Sequence, residues 1–355
     1  MRPLIIYAPN VASSGGVALL RALILALHEW QNVTLFLDNR SRAGLGDIAK
    51  SLTTIWSDSS ISGRLRAEAR LFQISKPGDI VFCFHNIPPI FPNQARIICY
   101  VHNANLVGLV PPVTNVGSVR LRYFFERTIA RVRKSAVERY VVQTETMKGA
   151  LEEWFGPSPP PIDVLPFIDK EISISASGLD TDLFAQTNEE TPDWDFIYVS
   201  DGSPHKNHRH LFQAWALLAS EGLYPSLAVT LDPARDEGLL ASLKQTVNVS
   251  NAQIENIGRL SRQEALNLYA RSKALIFPSI AESFGLPLLE AEARKMPILA
   301  PELDYVRDVC FPAETFDARS ERSIARAVKR FMGALDSRKS PPSADEFLSN
   351  LLIRL

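Results

Sequence analysis

The chain has 355 residues, of which 46% are apolar and 22% charged, with a net charge of −1. That is the composition of an ordinary globular protein long enough for two domains. It excludes a disordered chain, a disulfide-stapled secreted module and a protein held to nucleic acid by overall charge. The charge is uneven all the same. Residues 1–170 hold 19 Lys+Arg against 13 Asp+Glu (+6), and residues 171–355 hold 19 against 26 (−7), which together restore −1. A basic first half points to an anionic ligand or surface facing it.

In chain order, "PLIIYA" (3–8) reads as a first strand. The opening "MRPLIIYAPN" is too short an apolar stretch for a secretory leader. The helix "GGVALLRALILALHEW" (15–30) follows, interrupted by Arg21 and too short to span a bilayer. "VTLFLD" (33–38), "DIVFCF" (79–84), "ARIICYVH" (95–102) and "RYVVQT" (139–144) are further strands. Between the last two lies "VRLRYFFERTIARVRK" (119–134), with six basic residues and one acid among Phe124, Phe125 and Ile129. That pattern suits a helix resting on an anionic membrane, or a solvated basic face above a core stripe. The Pro-, Gly- and Ser-rich "FGPSPPPIDVLPFIDKEISISASG" (155–178) reads as the join between two halves.

The second half repeats the style. "DFIYVS" (195–200), "LAVTLD" (227–232), "IENIG" (254–258), "ALIFPS" (274–279) and "PILAP" (297–301) read as strands. "HLFQAWALLAS" (210–220) and "RQEALNLYARS" (262–272) read as helices, and "ADEFLSNLLIRL" (344–355) as a terminal one. Apolar strands alternating with helices build parallel sheets covered on both faces. The expected fold is therefore α/β, with two Rossmann-like parallel-sheet domains, 1–170 and 171–340, facing each other across a cleft. Residues 341–355 are expected to form a helix that packs back toward the first domain. Doubly wound sheets bind ligands beyond the carboxyl ends of their strands, which places the site in the cleft. Cys83, Cys99 and Cys310 are scattered in apolar strings, fit no metal spacing and read as buried thiols of a reducing, cytoplasmic compartment.

The stretch "IAESFGLPLLEAEA" (280–293) carries Glu282 and Glu290 eight positions apart. Pro287 is tolerated in a first helical turn, and "LLEAEARK" after it is strong helix former, so a helix begins near Leu286. Glu282 then sits in the loop that feeds the helix and Glu290 at the end of its first turn. A helix start favours an anion, and flanking carboxylates accept hydrogen bonds from hydroxyls. A phosphate between two polyhydroxylated groups describes a sugar nucleotide. The same spacing also fits a dipole-satisfying Glu290 and a solvated Glu282.

Several stretches together resemble the retaining glycosyltransferases of family 4 (glycosyl transferases group 1), which have the GT-B fold. "PSIAESFGLPLLEAEARKMPILAPELDYVRDVC" (278–310) resembles that family's donor segment, "VSDGSPHKNHRHLFQAW" (199–215) its phosphate loop and "PNVASSGGVALLRALILAL" (9–27) its glycine-bearing first loop. "ICYVHNAN" (98–105) and "RYVVQTETMKGALEEWFG" (139–156) resemble the end of its first domain.

The resemblance implies a metal-independent hexosyltransferase that acts with retention and has no cofactor beyond its nucleotide-sugar donor. Lys206, beside Asn207, would neutralise the leaving diphosphate. Glu290 would hold the ribose. Glu282 would lie near the transferred sugar, with the backbone of Ser283, Phe284, Gly285 and Leu286 facing it. Gly15 and Gly16 would let the first loop approach the phosphates, and His102 would contact donor sugar or acceptor. Arg259 would border the base. Where the family has an arginine five residues before the lysine, this chain has Asp201, and Arg209 or Arg259 is a candidate replacement. The family's glycine near the end of the donor helix is Lys295.

His205, His208 and His210 lack the partners of a zinc site and read as helix-start positions. The D-x-D strings Asp180–Asp182 and Asp193–Asp195 flank the join and read as structural. The expected partners are a nucleotide sugar, GDP-linked by the K-N-H run or UDP-linked, and a glycan acceptor, lipid-linked as in bacterial polysaccharide synthesis. Two alternatives stand: a non-catalytic sugar-nucleotide- or partner-binding relative, and a GT-B sugar-nucleotide epimerase. A dinucleotide enzyme is disfavoured because no G-x-G-x-x-G follows the first strand.

Overall fold

The computed structural model describes residues 3–109, 117–167 and 192–334. Two parallel sheets form the two domains. The first has seven strands in the order β3-β2-β1-β4-β5-β6-β7. These are β1 Leu4–Ala8, β2 Val33–Asp38, β3 Thr53–Ser57, β4 Ile80–Cys83, β5 Arg96–Tyr100, β6 Arg139–Val142 and β7 Ile162–Val164. Along β1 the side chains alternate: Ile5 and Tyr7 enter one core layer, Ile6 and Ala8 the other. That period-2 division lets an apolar strand bury both faces. Helices Ile61–Ile74 and Glu145–Phe155 cover the first layer through Ala67, Leu71, Met147 and Leu151. Helix Ser14–Ala26, capped by the Ser13 hydroxyl, covers the other. Cys83 and Cys99 face each other in register across β4 and β5, both buried and free, as is Cys310.

The second sheet has six strands in the order β10-β9-β8-β11-β12-β13. They are β8 Trp194–Tyr198, β9 Leu227–Val229, β10 Ile254–Asn256, β11 Ser272–Ile276, β12 Ile298–Pro301 and β13 Glu314–Phe316. Helices His208–Ser220 and Glu321–Phe331 bury Trp215, Leu218, Ile324 and Val328 against it.

Among the described residues every strand pair in both sheets is parallel, as the β–α alternation predicts. The Pro-rich stretch taken as the join contributes β7, which pairs with β6 from Tyr140↔Ile162 to Val142↔Val164. The chain therefore stays in the first domain through residue 164. The boundary at 170/171, the Asp180–Asp182 string and the terminal helix at 344–355 lie outside the described residues.

Strand order reverses between β1 and β4 in the first sheet and between β8 and β11 in the second. At such a reversal the loops leave in opposite directions and open a crevice.

Candidate active site

The loop leaving β8 and the loop leaving β11 bring the candidate residues together. After β8 the chain makes a single 3-10 turn, Pro204–Lys206, and then Asn207 takes a left-handed conformation (φ 63°). Asparagine is among the few residues that accept that conformation cheaply. Asn207 Nδ2 donates to Pro278 O at 3.0 Å and Ala318 O at 2.7 Å, while Asn207 Oδ1 meets His210 Nδ1 at 2.7 Å. Its side chain is thus engaged inside the protein, and its work is to hold the lysine turn. The carbonyl of His205 accepts Ile280 N at 2.9 Å and Ser279 Oγ at 3.1 Å, which fastens the two loops to each other. Tyr198 OH donates to Lys206 O at 2.7 Å.

These ties present Lys206 Nζ to Glu282 Oε1 at 2.6 Å, with side chains 16% and 10% exposed. The ammonium also lies 5.8 Å from the centre of the Phe277 ring. An ammonium has three donors, so one contact to a carboxylate leaves capacity for ligand oxygens. Glu282 therefore orients the lysine as well as bordering the site.

Beyond Glu282, Gly285 caps the helix Leu286–Glu292 in a left-handed conformation (φ 71°, ψ 54°), with Pro287 in the first turn. The helix begins where Pro287 and the apolar run predict, and Glu290 lies inside it, 8% exposed. Tyr269 OH donates to Glu290 Oε2 at 3.1 Å, and Arg294 Nη1 donates to Glu290 O at 2.8 Å. Tyr269 had no signal in the sequence: it is one apolar position of a predicted helix, 21 residues away from its partner. Lys295, where the resembled family has glycine, is left-handed (φ 54°) just past the helix.

Gly15 and Gly16 open helix Ser14–Ala26 and differ in their surroundings. A Cβ on Gly15 would come 3.8 Å from Leu286 Cδ1, so the first-domain loop meets the start of helix Leu286–Glu292 in the second domain. A Cβ on Gly16 would lie 2.9 Å from Ser13 Oγ and 3.4 Å from His102 Cε1, so packing within its own domain requires that glycine. His102 stands just past β5. Its Nε2 is 3.0 Å from Phe84 O, and its ring stacks on Phe84 at 5.0 Å. The carbonyl requires Nε2 to carry the proton, and burial lowers the imidazole pKa to about 4. His102 is a neutral ring at physiological pH.

Arg259 stays on the rim, 61% exposed and 3.8 Å from Asp232 Oδ2. Asp201 is exposed and accepts Ser203 N at 2.9 Å, so it shapes the turn rather than supplying a cation. His208 is buried against the Tyr198 ring at 4.8 Å, away from His210 at the Asn207 side chain. Asp195 accepts from Ser226 and Lys273, a structural role as expected.

The segment 119–134 forms the helix Gly117–Val132. Two of its basic residues, Arg127 and Arg133, turn toward the domain, while Arg122 and Arg131 stay exposed. Arg127 donates to Leu106 O and Asn105 O at 2.9 and 2.7 Å, and Arg133 to Pro89 O and Phe91 O, both at 3.3 Å. Arg131 stacks on Trp154 and donates to its carbonyl at 3.2 Å. Backbone carbonyls of loop 103–109 and turn 89–91, presented beside the helix, draw in the guanidinium groups of Arg127 and Arg133.

Residues 180–341 match the family model "Glycosyl transferases group 1". That span contains Lys206, Asn207, Arg259, Glu282 and Glu290, whereas Gly15, Gly16 and His102 fall outside it. A serotype-specific mannosyltransferase, WbdA, of Escherichia coli is 29% identical over 150 residues, covering 42% of this chain and 18% of that protein. An O-antigen chain mannosyltransferase B of Escherichia coli is 28% identical over 115 residues, covering 32% of this chain and 30% of that protein. The alignments therefore span less than a third of either relative. Among solved structures, Anabaena Alr3699/HepE in complex with UDP and glucose has a TM-score of 0.68 at 14% identity, over 93% of this chain and 90% of that one. A lipopolysaccharide outer core galactosyltransferase, WaaB, in apo form has a TM-score of 0.60 at 15% identity, over 95% and 92%. At these identities the structural likeness carries the fold, which is GT-B.

Proposed function

We propose, from the match of residues 180–341 to the glycosyl transferases group 1 model and from the geometry of the site, that the chain moves a hexose from a nucleotide sugar to a glycan acceptor with retention of configuration. The observation that carries the reading is the Lys206–Glu282 pair at 2.6 Å, set at the β8/β11 reversal with Glu290 on the adjoining helix. A cation held there meets the negative charge that grows on a departing diphosphate, where electrostatic stabilisation acts most strongly. Glu290 takes the ribose hydroxyls, the role the family resemblance implies. The leaving phosphate accepts the acceptor hydroxyl's proton as the sugar passes through an oxocarbenium-like state. His102, neutral and turned to Phe84 O, positions the sugar or acceptor and moves no proton at Nε2.

The two Escherichia coli relatives are mannosyltransferases by name, one of them of an O-antigen chain. Together with the K-N-H run they support a GDP-linked mannose-type donor and a lipid-linked glycan acceptor in surface polysaccharide synthesis. The Anabaena structure holds UDP and glucose, which keeps a UDP sugar in the comparison. Lys206 supplies the positive charge in this reading, so no metal is required. NMR of the anomeric proton in the product made from GDP-mannose and a mannoside acceptor, with and without EDTA, tests it. The expected result is an α-linkage formed at the same rate in both. An inverted linkage, or loss of activity with chelator, contradicts the reading.

A further inference from the structure

On helix Gly117–Val132 Arg127 turns toward the domain, whereas four large apolar residues face solvent. Leu121 is 58% exposed, Phe124 64%, Phe125 56% and Val132 72%. On a helix at the edge of a soluble domain the apolar stripe faces the core; here Leu121, Phe125 and Val132 form a stripe facing solvent, at spacings of four and seven. The neighbouring helix Ile61–Ile74 shows the same spacing on its exposed side, with Ile61 80%, Leu65 45% and Phe72 54% exposed.

The two stripes belong to one surface. Arg64 lies within electrostatic reach of Arg122 and Glu126. The turn at 89–91 is clamped between the helices: Glu68 accepts Ile90 N at 3.0 Å from one side, and Arg133 donates to Pro89 O and Phe91 O from the other. That turn adds Ile90 and Phe91, 42% and 36% exposed. Large exposed apolar residues gathered on neighbouring elements in this way mark a binding face.

The charges identify the partner. Arg66, Arg70, Arg122 and Arg131 are exposed around the stripes, whereas the acids of these helices, Glu68 and Glu126, are buried or half-buried. Both acids are engaged: Glu68 by Tyr7, Ile90 and Phe91, and Glu126 by Arg122 at 3.5 Å. A second copy of the chain would set this basic face against itself, which like charges oppose. An anionic bilayer offers acyl chains for the apolar stripes and negative headgroups for the basic surroundings.

We propose that helices Ile61–Ile74 and Gly117–Val132 form a monotopic seat, lying in the headgroup region of an anionic membrane with their apolar stripes buried. Arg64, on the first of these helices, also donates to Asn10 Oδ1 at 2.6 Å on the loop leaving β1. The seat thus borders the first-domain side of the cleft, and a lipid-linked acceptor arrives from the same surface. That last step rests on the transfer reading; the seat itself does not.

The test is co-sedimentation of the full chain with vesicles of phosphatidylcholine alone and of phosphatidylcholine with about a quarter phosphatidylglycerol. Wild type is expected to bind the anionic vesicles. The paired variants Phe124→Ser with Phe125→Ser, and Leu65→Ser with Phe72→Ser, should each weaken that binding by roughly 10-fold or more, since each removes two inserting side chains. Both pairs are solvent-exposed, so the fold should survive, which circular dichroism checks. A Phe125→Trp variant reports insertion directly, by quenching with brominated lipid. Absence of binding by wild type, equal binding by all variants, or an unquenched tryptophan overturns the seat. So does a wild-type dimer that the Phe124→Ser, Phe125→Ser pair dissociates. Nucleotide binding is unaffected by any of these results, so failure of the seat and failure of the transfer reading are separable.

Discussion

Lys206 Nζ and Glu282 Oε1 stand 2.6 Å apart across the strand reversal of the second sheet, although 76 residues separate them in the chain. Removing one partner isolates the other. Lys206→Ala leaves the Glu282 carboxylate buried without its cation, at a cost of about 1–3 kcal/mol in stability. It should also lower turnover by roughly 100-fold or more, because the cation faces developing charge. Adding Glu282→Gln to Lys206→Ala should restore most of the stability and none of the turnover. Urea unfolding and initial rates on the same three proteins check both; recovery of turnover in the double variant contradicts the assignment.

Two backbone positions flank the donor helix and predict opposite signs. Gly285 has φ 71°, and a Cβ there would press on Leu288 Cδ1 at 3.0 Å. Gly285→Ala should cost about 1–2 kcal/mol and weaken donor binding. Lys295 has φ 54° beyond the other end. Lys295→Gly relieves that conformation and should stabilise by about 0.5–1 kcal/mol with activity intact. Thermal melts decide both; a destabilised Lys295→Gly would show that the lysine side chain makes a contribution beyond its backbone.

Three histidines make the fold acid-sensitive. Burial lowers the pKa of His85 and His102 to about 4 and of His208 to about 3. The unfolded chain takes up these protons near pH 6.5 while the folded chain does not, so it binds more protons in that window. Stability is therefore complete above about pH 6.5 and falls as pH drops toward 4, by up to roughly 1.4 kcal/mol per unit for each histidine. Denaturant midpoints between pH 7 and 5 should show the slope, and His208→Phe should flatten it. A midpoint constant over that range contradicts the burial of these rings.

Neutralising the helix Gly117–Val132 should act on folding. Arg127 holds Leu106 O and Asn105 O, so Arg127→Gln should lower the melting temperature, at a cost of about 1–3 kcal/mol for the lost charge-assisted bonds. Residual vesicle binding by the folded fraction should remain near wild type. A stable protein with abolished vesicle binding would return the membrane contact to the arginines.

The donor segment was legible because its signals are local: an apolar strand, a glycine, a proline in a first turn, then strong helix formers. The strands missed in the sequence, β3 Thr53–Ser57, β7 Ile162–Val164 and β13 Glu314–Phe316, each stand at the edge of a sheet. An edge strand is paired on one side only and needs no continuous apolar run, so β3 reads "TTIWS" and β7 "IDV". The ties that hold the site were illegible for another reason. Asn207 to Ala318, Tyr269 to Glu290 and His205 to Ile280 join residues brought together only by the sheet. The arginines of 119–134 were counted correctly as basic, but periodicity alone does not say which stripe faces the domain when both stripes can find partners there.

The most direct test of the donor site is a calorimetric titration of GDP and UDP into wild type and Glu290→Ala. The account predicts that one nucleotide binds wild type and that the variant loses at least about 10-fold in affinity, since charge-assisted hydrogen bonds to hydroxyls are removed. Absence of binding by both nucleotides, or equal affinity in Glu290→Ala, would contradict the two-glutamate reading and favour a relative that uses this fold without turnover.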